Sequence, residues 1–230
     1  MADSIYTIPI NEIFEPKKGC PICAIRDTLE QRCVEYIMGA AMMEPDVRIE
    51  TNRLGFCKDH LGMMLAQRNR LSLALTLQTH LDEIRKNVLN GKREMFHKGG
   101  KAKSISKINS TCYVCNKIDG ALAELLDTMF RLYERDEDFK ALYGEQEALC
   151  LPHYELVCSL APEKLSKKFL TSFLEDSTRL VTDYINTLYE DVSHFCKMFD
   201  YRNTGPEADW KNAKDSIERT AWFLTSYHPK

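Results

Sequence analysis

Apolar residues recur along this chain at steps of three and four, and no convincing stretch alternates with a period of two. From Pro21 to about Ala41 the positions Ile22, Ile25, Leu29, Cys33, Tyr36 or Ile37, and Ala40 predict an amphipathic helix. Pro45 and Gly55 break that pattern and bracket a short helix or turn at 46–51. Beyond His60, Ala74, Leu77, Leu81, Ile84 and Val88 predict one long helix that Gly91 stops. Ile118, Leu122, Leu125 and Met129 predict another. From Pro162, placed to open a helix, the periodicity continues through Ile185, Leu188, Val192 and Phe195 to Phe199. That run, of about 37 residues, would be about 55 Å long. A last helix, 206–227, carries Trp210, Ala213, Ile217, Ala221 and Leu224 on one face and is expected to cap the others. Residues 1–19 read as an extended lead-in tacked down by Ile5, Ile8 and Ile13. The fold class expected is all-α, a helical bundle.

Composition shifts at one place. Residues 91–109 are rich in Gly and carry six basic residues against one acidic one, which marks a linker between two halves, 1–90 and 110–230. The same segment is the candidate contact for nucleic acid, although one Phe offers little for base stacking. Elsewhere the 230 residues are ordinary: 44% hydrophobic, 28% charged, with a net charge of −3 that exerts no general pull on polyanions. No run of about 18 apolar residues predicts a membrane span. The first ten residues have neither the basic nor the apolar part of a secretory signal. A reducing cytoplasmic location is therefore expected, where nine cysteines argue for metal binding over disulfides.

The two halves repeat one another. A shift of 92 places Cys20 and Cys23 on Cys112 and Cys115, and Asp46-Val47-Arg48 on Asp138-Phe139-Lys140. One inserted residue moves the shift to 93, which carries Cys57 and His60 onto Cys150 and His153. Matching order through residues that are not ligands points to duplication. Each copy holds three thiols and one imidazole, with 33 residues between its motifs in the first and 34 in the second. That is the donor set of a closed tetrahedral site, twice over. A Cys-x-x-Cys knuckle puts two sulfurs on one face, and a helix start favours the thiolate that a metal needs. The simplest pairing joins the two motifs of each copy, one ion pinning two helix starts. Two structural zinc ions are the cofactors expected, with iron–sulfur clusters as the alternative.

Around these sites, Asp46, Asp138, Arg48 and Lys140 are read as helix-end and surface charges ahead of a role in orienting a ligating His. Cys33, Cys158 and Cys196 lie outside the repeated motifs and read as packed thiols, with reserve-ligand or redox roles as the alternative. No Ser/His/Asp set, phosphate-cradling Gly loop or His-Glu-x-x-His motif occurs, so the chain reads as a non-enzyme.

Cys20-Pro-Ile-Cys23, Met43 to Arg48, Gly55-Phe-Cys-Lys-Asp-His60, Leu149-Cys-Leu-Pro-His153 and Phe199 to Asn203 resemble an uncharacterised family from anaerobic Gram-positive bacteria. The resemblance spans nearly the whole chain; Ala148-Leu149 stands where Gly-Phe is usual, and the ligands are intact. It implies an anaerobic source, which raises the standing of iron–sulfur clusters, and it brings no activity. The function expected is a metal-stapled helical scaffold that binds a protein partner. The alternatives are a redox or sensor protein with clusters or zinc thiolates, and a nucleic-acid regulator acting through 91–109.

Overall fold

The computed structural model describes residues 9–89, 100–200 and 209–226, and all regular structure among them is helical, with no strand. Two compact units divide the chain: the first is built on Arg26–Ala123, the second on Ile8–Ile25 together with Glu124–Lys230. The units do not coincide with the sequence halves, because residues from the first half cluster with the second.

In the first unit the C-terminal part of α2 (Pro21–Met38) buries Leu29, Cys33, Val34 and Ile37. A 3₁₀ turn at Ala40–Met43 leads to α3 (Pro45–Leu54), which opens on a proline whose missing N–H costs nothing there. The single long helix expected after His60 is instead two, α4 (Lys58–Ala66) and α5 (Arg70–Glu83), the latter continued as a π-helical turn over Ile84–Leu89. Asn69 explains the break: its side chain accepts from the Ser72 N–H at 3.2 Å and donates to the Met38 carbonyl at 2.9 Å. The buried face of α5 is Ser72, Leu73 and Thr76; of the apolar stripe read here, Ala74 and Leu81 are exposed, Leu81 at 64%, Leu77 and Ile84 are half-buried, and Val88 is buried in the π-helical turn. Residues 100–109, placed in the linker by composition, form α6 (Gly100–Asn109); Gly91, Lys98 and the rest of that segment lie outside the described residues. The first half of α7 (Tyr113–Arg135) buries Val114, Ile118 and Leu122, as its periodicity predicts.

The second unit contains a short helix, α1 (Ile10–Phe14), where an extended lead-in was expected. Its anchors are Ile10 and Phe14, not Ile13; Ile5 and Ile8 lie outside the described residues. Phe14 enters an aromatic core with Phe139 and Tyr143, which continues through Tyr133 and Phe173 at centroid distances of 5.0–6.2 Å. Those rings come from the end of α7, from α8 (Glu137–Gly144) and from α10 (Lys167–Met198). Pro162 does not open a helix: it sits in the last turn of α9 (Leu151–Lys164), whose own first turn holds Pro152. The chain turns at Leu165 and Ser166, both extended, before α10 runs for 32 residues, about 48 Å. On α11 (Ser216–Thr225) the buried face is Ser216, Trp222 and Phe223, with Ala213 just ahead of it. Ile217 and Leu224, assigned to that face by periodicity, are about half exposed.

Candidate metal centres

Four helices begin at a candidate metal donor. Cys57 and Cys150 hold the N-cap positions of α4 and α9, in extended conformation, and Cys20 and Cys112 directly precede α2 and α7. In each case the carbonyl of that cysteine accepts the first helical hydrogen bond, at 2.8–3.2 Å, from the residue four further on. The second donor of each motif, Cys23, His60, Cys115 or His153, falls three residues later, so both side chains meet on one side of the first turn. All four helix starts direct N–H groups and partial positive charge toward sulfur.

The pairing is crossed. Cys20 and Cys23 meet Cys150 and His153, while Cys57 and His60 meet Cys112 and Cys115, and in each set the donor atoms lie within 4.8 Å of one another. This corrects the expectation that each copy closes its own site: the Cys-x-x-Cys of one copy is completed by the Cys-x-x-His of the other. The approaches to the motifs show why. Ahead of the first set, Gln146 Nε2 donates to the Phe14 carbonyl, Glu147 accepts from the Gly19 N–H at 2.6 Å, and Lys17 pairs with Glu145. Ahead of the second, the Tyr113 N–H donates to the Gly55 carbonyl at 2.9 Å and Thr111 Oγ1 donates to the Leu54 carbonyl at 2.8 Å. Each stitch joins the approach to a motif in one copy to the approach to a motif in the other.

The distances suit one ion per set. A tetrahedral ion with sulfur at ~2.3 Å and nitrogen at ~2.0–2.1 Å has edges of about 3.8 Å between sulfurs and about 3.6 Å from sulfur to nitrogen. In the first set Cys23 Sγ stands 3.6 Å from Cys150 Sγ, and His153 Nδ1 stands 3.5, 3.3 and 3.1 Å from Cys20, Cys23 and Cys150. In the second, Cys57 Sγ is 3.9 Å from Cys115 Sγ, and His60 Nδ1 is 3.1, 3.3 and 3.5 Å from Cys57, Cys112 and Cys115. Both histidines turn Nδ1 inward. The outer Nε2 of His60 meets Glu30 Oε1 at 2.8 Å, a carboxylate that fixes the ring and its tautomer.

Without a cation the sulfurs cannot all ionise. Burial raises the Cys112 thiol, but hydrogen bonds from His60 and from the Cys115 and Cys57 backbone N–H groups outweigh it and hold the thiol at about 6. Burial lowers His60, yet its bonds to Cys112 and Glu30 carry the imidazole up to about 10. Burial and the Cys112 charge push Cys115 up. The first set repeats this: Cys20 is held well below its ordinary value, against burial, by bonds with Cys150, Cys23 and His153. Hydrogen bonds to its neighbours push Cys23 far up, and the bond to Cys20 takes Cys150 to about 12. Mutual repulsion and burial thus hold Cys115, Cys23 and Cys150 above the ordinary thiol value, and a divalent ion bound among them would offset that repulsion.

A family model matches the whole chain, residues 1–230. The chain belongs to DUF6062, a family of unknown function. No curated protein and no solved structure matches it. What this DUF6062 chain contributes is therefore read from its own residues: two Cys₃His groups able to hold metal ions.

The two groups differ in exposure. Cys20, Cys23, Cys150 and His153 are all 5% exposed or less, whereas Cys57 and Cys115 are partly open to solvent. Among the remaining thiols Cys33 is buried, Cys158 partly exposed and Cys196 exposed, and none enters a donor set. Asp46 and Asp138 sit in the first turns of α3 and α8, and Lys140 lies over the rings of Tyr133 and Phe169. The partner of His60 is Glu30, which motif spacing does not flag because it lies 30 residues away on another helix.

Proposed function

We propose that this protein is an intracellular two-zinc helical scaffold whose ions are structural and whose outer helix faces bind a protein partner. The observation that carries the reading is the completeness of each donor set. Four protein donors at single-ion spacing fill a tetrahedral sphere and leave no position for a substrate, the pattern of structural rather than catalytic zinc. Cys20, Cys23, Cys150 and His153 would hold one ion, and Cys57, His60, Cys112 and Cys115 the other. Bound there, zinc would supply charge neutralisation and cross-linking of helix starts. Donor atoms one tetrahedral edge apart also favour a single ion over a cluster, in which sulfide and further irons separate the ligands.

The partner role is supported by large apolar side chains left outside: Ile185 and Tyr189 on α10 and Ile217 and Leu224 on α11 are 41–74% exposed. A nucleic-acid role would fall to Lys101, Lys103 and Lys107 of α6, which carries no aromatic side chain for stacking. Among the described residues no helix is long and apolar enough to cross a membrane.

Metal analysis of protein purified without added metal, together with a visible spectrum, tests the reading. Colourless protein with about two zinc ions per chain is the expected result. Iron with strong visible absorption would replace it with the iron–sulfur alternative.

A further inference from the structure

The two metal centres are not chemically equivalent, although duplication made them from one pattern. Glu30 lies against the outer nitrogen of His60, and at the shift of 92 its counterpart is Leu122, so the second copy has no carboxylate there. With the imidazole neutral, three thiolates and a divalent ion leave one net negative charge; Glu30 adds another directly against the imidazole of this centre. Extra negative charge leaves more electron density on sulfur. That same centre contains the two ligand thiols open to solvent, Cys57 and Cys115, with sulfurs 3.9 Å apart. Oxidation of a thiolate follows its charge and its accessibility, and here both fall on one pair.

Resting on the zinc reading above, we propose that Cys57 and Cys115 form an oxidisable pair, through which a peroxide empties one centre while the other stays intact. One thiolate attacks the peroxide O–O bond, becoming a sulfenic acid as hydroxide departs. The second thiolate displaces the sulfenic hydroxyl and forms the S–S bond. Two thiolates, one hydrogen peroxide and two protons yield one disulfide and two waters; sulfur loses two electrons and peroxide oxygen gains them. Cys57 and Cys115 thereby withdraw from coordination, and Cys112 with His60 are too few donors to retain the ion. Cys20, Cys23 and Cys150 are shielded from the reagent. The chain would then be a redox-responsive scaffold, one zinc holding the second unit while the other reports oxidant.

The test uses full-length zinc-loaded protein carrying Cys196→Ser, which removes the exposed thiol outside both centres. Hydrogen peroxide is added while a chromogenic chelator records zinc release, and the cysteines are then mapped by alkylation and peptide mass. The expected result is one ion leaving about tenfold faster than the other, with Cys57 joined to Cys115 and Cys20, Cys23 and Cys150 still reduced. Release of both ions at one rate, or a disulfide that includes Cys20, Cys23, Cys112 or Cys150, would overturn the proposal while leaving the two-zinc reading in place. Protein that binds no zinc before oxidant is added contradicts both.

Discussion

His60 shows how much of a candidate metal centre rests on one side chain. Its Nδ1 faces three sulfurs and its Nε2 is held by Glu30, so ring orientation is set before any ion arrives and Nδ1 is the nitrogen left to give up its proton. Glu30→Gln should weaken one zinc ion by about tenfold and leave the other unchanged, read by titration with a competing chelator. Protonation supplies a second prediction. In the metal-free chain the His60 pKa is raised to about 10 and Cys115 is pushed up, so below pH 10 both carry protons that zinc must expel. Affinity at this centre should therefore rise with pH and fall as pH drops, by about two log units per pH unit or more, His60 and Cys115 each releasing a proton. Chelator competition at two pH values with constant ionic strength checks it; a flat profile would mean that the donors are already deprotonated. Cys33, buried in α2, belongs to neither centre, so Cys33→Ser should leave the bound zinc unchanged.

Helices and turns explain how the donors reach these places. Gly55 ends α3 at φ +64 and ψ −158, a conformation that essentially only glycine adopts, and a Cβ there would meet His80 Nε2 at 2.9 Å. Its carbonyl also accepts the Tyr113 N–H, so Gly55→Ala should cost about 1–3 kcal/mol, seen in denaturant unfolding of the zinc-loaded protein, and should loosen the neighbouring ion. The second copy manages with Ala148, which is not among the residues of positive φ. At the start of α8 the Asp136 side chain accepts the N–H groups of Asp138 and Phe139; Asp136→Ala should cost about 1 kcal/mol of stability. These elements also show what sequence could and could not reveal. The all-α class and the buried stripe of Ile118, Leu122 and Met129 are legible because α7 is long and one-sided. The α4–α5 break is not, because Asn69 acts through a distant partner, the Met38 carbonyl, that no local pattern encodes. The stripes on α5 and α11 mislead because Leu81, Ile217 and Leu224 are periodic without being covered. Pro162 misleads because a proline is tolerated in the last turn of α9 as well as in a first turn.

On the scale of the whole chain, the motifs mark eight candidate donors but do not tell how the structure groups them. Spacing within a motif is a local property of one helix start, whereas the choice between Cys57 and Cys150 as the partner of Cys20 is made by loop contacts far apart in sequence. Crossed pairing would make an ion bound in either set a clasp between copies: one would close the chain from Cys20 to His153, and the other, nested inside it in sequence, from Cys57 to Cys115. Chelation should accordingly lower the thermal midpoint of the protein well beyond the effect of any single surface substitution, since zinc binding contributes on the order of 10 kcal/mol per site in small zinc domains. Crossed pairing is also what one experiment reads most directly: the zinc content, by native mass spectrometry, of two double variants. Cys20→Ser with Cys150→Ser disables one crossed centre and should retain about one ion, while Cys20→Ser with Cys57→Ser damages both and should retain about none. The opposite outcome, with the Cys20/Cys57 variant keeping its ion and the Cys20/Cys150 variant losing both, would mean that each copy closes its own site.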